Sequence, residues 1–512
     1  MRPIDVGAPP RLPAQATNKG ITVNFIAPQP AKLDCCSAKS SRGERKPDLV
    51  VIGTGSAGFS AAIRASELGA KVALVGDGTI GGTCVNIGCV PSKALIRAAE
   101  TLHQARAASR FAGITASARL EDWKALVAQK DELVGSLRQA KYADLLPQYP
   151  DVTYVPGRAR LAPDGAVMVG ETAYRSARVI IATGTSPTAP ALPGLDTVPW
   201  LTSTTAMEIE ALPASLLVIG GGVIGVELGQ MFARFGVRVT IVCRSRLLPG
   251  AEPEVSAALT EYLRAEGVDV RCGMSYEAIR QAGDGEVELV ARDAEGTAVT
   301  LSAERVLVAT GRTPNTSGMG LEDAGIALDG RGAVQVDDRM RTTRLGVYAA
   351  GDVTGRDLYV YMAAHGGKVA AENALGNEGA PRYDATAMPE VVFSDPQMAS
   401  VGLTEVAARR AGLEVEIRIV SLDQVPRALA ARDTRGLVKL VAERGSGRLL
   451  GAHILAPEAG DSIQTAVLAV KHGLTVADLS NTIFPYLTTV EALKLAALSF
   501  SKEVAKLSCC AG

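Results

Sequence analysis

Several classes are excluded by what this chain lacks. It has no charge excess: 53 lysines and arginines stand against 54 acids. No electrostatic footprint therefore points to nucleic acid or to an anionic membrane. No uninterrupted apolar run approaches the ~20 residues needed to span a bilayer. The opening stretch, MRPIDVGAPPRLPAQATNKG, has no long apolar segment of the kind that directs export, so a cytosolic protein is expected. Cysteine is also scarce for a disulfide scaffold, with eight in 512 residues. A chain of this length suggests about three domains of ~150 residues, and 47% apolar content is enough for a substantial core.

The cysteines say more by position than by number. Six fall in three close pairs: Cys35 with Cys36, Cys84 with Cys89, and Cys509 with Cys510. Cys243 and Cys272 stand alone in apolar, strand-like segments, where packing is the expected role. The chain ends SCCAG. Adjacent Cα atoms lie about 3.8 Å apart, below the roughly 4.4–6.8 Å of ordinary disulfides, so a structural staple at Cys509–Cys510 is not expected. Two soft ligands, a labile redox pair and an incidental pair of thiols all remain open on the tail alone.

Residues 1–46 are rich in Pro, Ala, Ser and basic residues, and read as a flexible head. Order begins at PDLVVIGTGSAGFSAAIRASELGAKVALVGDG. Here an apolar run, a glycine turn (Gly53, Gly55, Gly58), an Ala-rich amphipathic helix and a second apolar run make a βαβ unit. Such glycines permit a tight turn, close approach of a pyrophosphate and tight helix–strand packing, with the helix N-terminus facing the phosphates. The pattern returns at SLLVIGGGVIGVELGQMFARFGVRVTIVCRSRLLPG, with Gly220, Gly222 and Gly225. One such fingerprint is weak; two in full strand–turn–helix–strand context argue for two dinucleotide sites. Further strands lead to Gly184, to Gly311 and, in GVYAAGDVTG, to Asp352. The first nucleotide domain is therefore expected to be discontinuous, 47–190 plus 311–383, with the second, 191–310, inserted between its halves. From 384 to 512 the alternating short strands suggest an antiparallel α+β domain.

Directly after the first βαβ unit comes GGTCVNIGCVPSKALIRAAE. Cys84 and Cys89 are separated by four residues, and Pro91 is expected to open a helix. A thiol at a helix N-terminus is biased toward thiolate, and Lys93 adds a positive charge one turn in. With the two fingerprints, the two ATG turns and the GD motif, this segment resembles the FAD-dependent pyridine nucleotide–disulfide oxidoreductases from about residue 47 onward. The resemblance implies an α/β fold of two Rossmann-like domains, for FAD and NADPH, with a C-terminal dimerisation domain. It implies a redox-active Cys84–Cys89 pair, Cys89 toward the flavin and Cys84 toward substrate. Lys93 would lie near the flavin, paired with Glu227. FAD would be held by Gly53, Gly55, Gly58, Asp77, Gly82, Thr83, Lys93, Gly184 and Asp352. The nicotinamide nucleotide would be held by Gly220, Gly222, Gly225, Glu227 and Gly311.

Two departures narrow the chemistry. Disulfide-reducing relatives resemble one another in a C-terminal HPTxxE segment whose His is the acid–base. This chain reads FPYLTTVEAL, placing Tyr486 there and keeping Glu491. None of its four histidines, His103, His365, His453 and His472, substitutes by motif. A phenol of pKa about 10 does not replace an imidazole near pH 7. The second departure is the terminal thiol pair, since thiolates favour soft ions. Together these resemble the branch of the family that reduces Hg(II) to Hg(0). That likeness implies that Cys509 and Cys510 capture thiol-complexed Hg(II) and pass it to Cys84 and Cys89. It further implies a homodimer with a shared site, and phenols from Tyr142 and Tyr486 near the ion.

After the second fingerprint, Cys243 stands where NAD enzymes place an acid, and Arg244 and Arg246 follow. They suit a 2′-phosphate, so NADPH is expected. At the FAD site the equivalent position is Gly76, with Asp77 next. Cys35 and Cys36 read as a vestigial ion trap or as incidental. The competing functions are a disulfide reductase that relays electrons through the tail and a non-catalytic metal-binding protein. Bound flavin, and the choice between Hg(II) and disulfide substrates, separate them.

Overall fold

A computed structural model describes residues 44–503, apart from 284, 377, 378 and 380. Cys35, Cys36, Cys509 and Cys510 lie outside the described residues.

Short Val/Ile/Leu runs, buried on both faces, pair as parallel strands. In the first sheet Leu49–Ile52 lies between Val72–Gly76 and Val179–Ile181. Val152–Pro156 is on one edge and Val347–Ala349 on the other, all parallel. The last of these strands returns to the sheet from beyond a second one. That second sheet repeats the design: Ser215–Ile219 sits between Arg238–Val242 and Arg305–Val308, with Asp269–Arg271 and Trp200–Leu201 at the edges. In each, the chain leaves the central strand in opposite directions, which opens a crevice at the strands' carboxyl ends. Both glycine turns stand at such a crevice. The two strands joining the sheets, Thr185–Pro187 and Arg312–Pro314, pair antiparallel to one another.

From residue 389 the pairing becomes antiparallel. Five strands, Pro389–Val392, Gln397–Gly402, Leu449–Ala456, Leu437–Glu443 and Val415–Ser421, form one sheet in that spatial order. Helices Ala459–Lys471, Val476–Asn481 and Glu491–Leu498 follow it.

Helix Cys89–Arg106 ties these layers together. Its buried Leu95, Ala99 and Leu102 share one core with Met231 and Phe232 of helix Val223–Arg234 and with Val392 and Met398 of the antiparallel sheet. Elsewhere, helix Ser56–Glu67 packs so closely on Val360–Ala374 that a side chain at Gly367 would meet the Ala57 carbonyl at 2.2 Å. Among the described residues, no helix is long and apolar enough to cross a membrane.

Candidate active site

The first glycine turn is built for backbone contact. A side chain at Gly53 would meet the Ala182 carbonyl at 2.1 Å, and one at Gly58 the Gly53 carbonyl at 1.8 Å. Helix Ser56–Glu67 starts from Gly55 without a side-chain cap, so its first N–H groups are available to an anion. Gly81 and Gly82 are both left-handed (φ 96° and 63°), and a side chain at Gly82 would meet Gly55 Cα at 2.5 Å. These two residues bring the short helix Gly82–Ile87, with Thr83 and Cys84, against the glycine turn. Asn86 locks the approach: its Nδ2 donates to the Ile80 and Gly82 carbonyls at 2.9 and 2.8 Å.

Helix Cys89–Arg106 begins at Cys89 itself, two residues before Pro91, so the thiol sits at the positive end of five helical turns. Cys84 is half-buried and Cys89 exposed; both are free thiols, hydrogen-bonded to one another. Cys89 is drawn down to about 7, foremost by the hydrogen bond with Cys84 and also by the Lys93 charge, against the cost of burial and the repulsion of Glu227. Cys84 is pushed up by that same hydrogen bond and by burial. The pair is thus asymmetric, one sulfur a ready thiolate and the other its proton donor.

Lys93 Nζ donates to Glu227 Oε2 at 2.7 Å and stands 4.8 Å above the centre of the Phe393 ring. Glu227 is buried, and its Oε1 accepts the Phe393 N–H at 2.9 Å. Both carboxylate oxygens are therefore engaged within the protein. Tyr142 packs edge-on against Phe59 at 4.9 Å. Burial raises its hydroxyl, a hydrogen bond with Ser56 opposes that, and Cys84 and Cys89 are both within electrostatic reach.

Asp352 accepts from Thr185 Oγ1 at 3.0 Å, and Arg312 Nε donates to the same hydroxyl at 2.7 Å. Burial pulls the Arg312 guanidinium down, while Asp352 and Cys89 support its charge. Arg312 and Thr185 were not among the residues singled out from sequence, nor were Tyr359 and Tyr361. Those two rings stack at 5.4 Å, and Tyr361, pushed up mainly by burial, also feels Cys89. Neither segment carried a local signal: GRTPN is placed by its antiparallel pairing with Thr185–Pro187, and LYVYM by the chain that follows the Val347–Ala349 strand.

The histidines have their partners elsewhere: His103 near Glu266, His365 against Tyr383, His453 at the Leu403 carbonyl. His472 ends its helix, exposed. Tyr486 lies exposed on the turn before helix Glu491–Leu498, where Glu491 accepts the Leu487 N–H at 3.2 Å.

At the second glycine turn, a side chain at Gly220 would meet the Ala309 carbonyl at 2.3 Å and one at Gly225 the Gly220 carbonyl at 2.0 Å. Gly222 precedes the uncapped helix Val223–Arg234. Arg244 is exposed. Arg246 folds back, its Nη2 donating to the Pro249 and Ala251 carbonyls at 2.9 and 2.8 Å, while Nη1 is buried without a hydrogen-bond partner among the described residues. The residues present fit a dinucleotide at both turns. Gly76 is closed to the acid usual there: a Cβ would meet Thr54 Cγ2 at 2.5 Å, and Asp77 beside it is exposed. Cys243 and Cys272, which look isolated in the sequence, are in contact, with Sγ atoms 3.4 Å apart.

Comparison with known proteins agrees with this arrangement. Residues 47–374 match the pyridine nucleotide-disulphide oxidoreductase family, and residues 388–497 match its dimerisation domain. The chain is 50% identical to the mercuric reductase of Streptomyces lividans over 91% of its own length and 98% of the relative's. It is 46% identical to that of Shigella flexneri, covering 91% of this chain and 82% of the relative. Among solved structures, the Cu(II) complex of the HOCl-induced flavoprotein disulfide reductase RclA from Escherichia coli matches with a TM-score of 0.79 at 30% identity. That match covers 90% of this chain and all of the other.

Proposed function

The chain belongs to the pyridine nucleotide-disulphide oxidoreductases, and on that footing we propose that it is a cytosolic mercury(II) reductase, using NADPH and FAD to convert Hg(II) to Hg(0). The observation that carries this reading is the hydrogen-bonded Cys84–Cys89 pair at the head of a long helix, with His103, His365 and His453 engaged elsewhere and His472 exposed at a helix end. Two sulfurs suit a soft cation, and a thiolate with no imidazole beside it is poorly equipped to protonate a leaving thiol.

The family's flavin and pyridine nucleotide fall, in this reading, on the two glycine turns. FAD is held by Gly53, Gly55, Gly58, Gly82, Thr83, Gly184 and Asp352, with Asp77 at the ribose end and Lys93 at the ring. NADPH is held by Gly220, Gly222, Gly225 and Gly311, with Arg244 and Arg246 for the 2′-phosphate. Residues 47–190 and 311–383 form the FAD domain, 191–310 the NADPH domain and 384–512 the interface domain. Bound flavin supplies passage of an electron pair from the nicotinamide toward the thiols.

The chain's own residues do the rest. Cys89 is kept as thiolate by the Cys84 S–H, Lys93 and the helix terminus. Hg(II) leaves its carrier thiols by ligand exchange, the Cys509 and Cys510 pair taking it first and Cys84 and Cys89 next. Glu227 fixes Lys93 beside the pair. The Tyr142 phenol, its pKa raised by burial, stays protonated, and it and Tyr486 offer oxygen contacts to the ion. Exposed Ile483, Tyr486 and Leu487 mark the surface a second subunit would cover, which supports a shared site.

NADPH oxidation by the flavin-loaded protein, offered Hg(II), oxidised glutathione and a protein disulfide in turn, tests the assignment. Turnover confined to Hg(II) supports it. Turnover with the disulfides alone would replace it with the disulfide reductase that the RclA likeness suggests.

A further inference from the structure

Cys243 and Cys272 are 29 positions apart in sequence, yet the sheet brings them together. Strands Arg238–Val242 and Asp269–Arg271 run parallel with Val242 opposite Arg271, and one further step sets Cys243 opposite Cys272. Neighbouring strands lie about 4.8 Å apart, within the roughly 4.4–6.8 Å Cα span that a disulfide accepts. The sulfurs stand at 3.4 Å, so bond formation at about 2.05 Å asks them to close by little more than an ångström.

The two thiols are unequal. Cys243 is buried and donates its S–H; Cys272 is partly exposed and accepts it. That hydrogen bond draws Cys272 down to about 6 and pushes Cys243 up. Their position is unequal too. A side chain at Gly221 would come within 2.8 Å of Cys243 Cβ and 3.2 Å of its sulfur, so Cys243 forms the floor of the second glycine turn. Arg244 is the next residue.

We propose that Cys243 and Cys272 are a second dithiol site, one that a hydroperoxide converts to a disulfide and that thereby governs nucleotide binding. The proposal rests on reading the Gly220–Gly225 turn as the NADPH site. The Cys272 thiolate attacks the hydroperoxide, giving a sulfenic acid and, for hydrogen peroxide, water once a proton is taken up. The Cys243 thiol then attacks that sulfur, forming the S–S bond and releasing a second water. Two thiols lose two electrons and hydrogen peroxide gains them, and a small dithiol returns both. Closing the bond draws Cys243 toward the neighbouring strand, moving the floor of the turn and the start of the Arg244 side chain.

The experiment uses flavin-loaded full-length protein treated with hydrogen peroxide, alkylated and digested with trypsin. The expected product is a disulfide between peptides Val239–Arg244 and Cys272–Arg280. NADP+ affinity, measured by fluorescence titration without any metal, should weaken about tenfold, the loss of one charged hydrogen bond, and dithiothreitol should restore it. Cys272→Ser should bind NADP+ normally and lose none of its affinity after peroxide, although Cys84 and Cys89 are oxidised in both proteins. Both peptides recovered fully alkylated, or a linkage that leaves NADP+ affinity unchanged, would overturn the proposal. Neither readout depends on whether Hg(II) is the substrate.

Discussion

The Lys93–Glu227 pair offers a direct test of how the site tunes its thiolate. Glu227→Gln preserves the shape and leaves an amide oxygen for the Phe393 N–H, which now lies 2.9 Å from the carboxylate. It removes the charge that accepts from Lys93 at 2.7 Å and turns an amide N–H₂ toward the ammonium. A charge-assisted hydrogen bond is worth about 1.5–3 kcal/mol, and breaking a fully buried pair costs about 3–5 kcal/mol. The Lys93 side chain is 29% exposed and regains some hydration, so a loss of about 2 kcal/mol is expected.

The effect on Cys89 has a definite sign. Glu227 raises its pKa and Lys93 lowers it, so the substitution removes the opposing charge and leaves the ammonium uncompensated. With a charge at this range worth about 1–3 pKa units, the Cys89 midpoint should fall from about 7 by roughly one unit. The rate of iodoacetamide alkylation at Cys89 against pH, followed by peptide mass, reads this midpoint. Lys93→Met should move it up. A Glu227→Gln midpoint that stays put or rises would refute the electrostatic account. The same depression links to folding. This thiolate favours the folded state above the ~8.5 of a free thiol, and its contribution is lost as pH falls through about 7.

Gly76→Glu alone should yield protein with a depleted flavin-to-protein ratio, because the new Cβ lies 2.5 Å from Thr54 Cγ2; Thr54→Gly in the same chain should recover it. Arg244→Glu should raise the KM for NADPH by about tenfold or more, as expected for a lost charged hydrogen bond, while leaving NADH nearly unaffected in steady-state assays. Cys509→Ala with Cys510→Ala should keep flavin reduction by NADPH in stopped flow yet lose most turnover of thiol-complexed Hg(II). Unchanged turnover would remove the delivery role.

Much of this arrangement was readable from local signals. The glycine turns announce themselves because close backbone approach excludes every other residue, as the Gly53 and Gly58 contacts make plain. Cys84, Cys89 and Lys93 lie on one short segment, so spacing alone groups them. Glu227 joined them only through family likeness, since no local rule links residues 134 positions apart. Contacts set by sheet register were not legible. Cys243 and Cys272 read as unrelated until two parallel strands align, and Arg312 comes within reach of Cys89 where its strand pairs antiparallel with Thr185–Pro187. Arg246 was read as a phosphate ligand; its Nη2 is committed to its own loop, which leaves Nη1 for that role, and the sequence carries no sign of that backbone turn.

The late-arriving strand of the first sheet has a consequence for biosynthesis. A ribosome makes the whole inserted sheet, ending at Val308, before it makes Val347–Ala349. Emerging chain folds as units become available, so the insert is finished while its host still shows an open edge beside Val179–Ile181. Such an edge is a template for wrong pairing. Early binding of flavin to the unfinished host would shield it, and flavin-starved cells should accumulate aggregates of this chain ahead of soluble apoprotein.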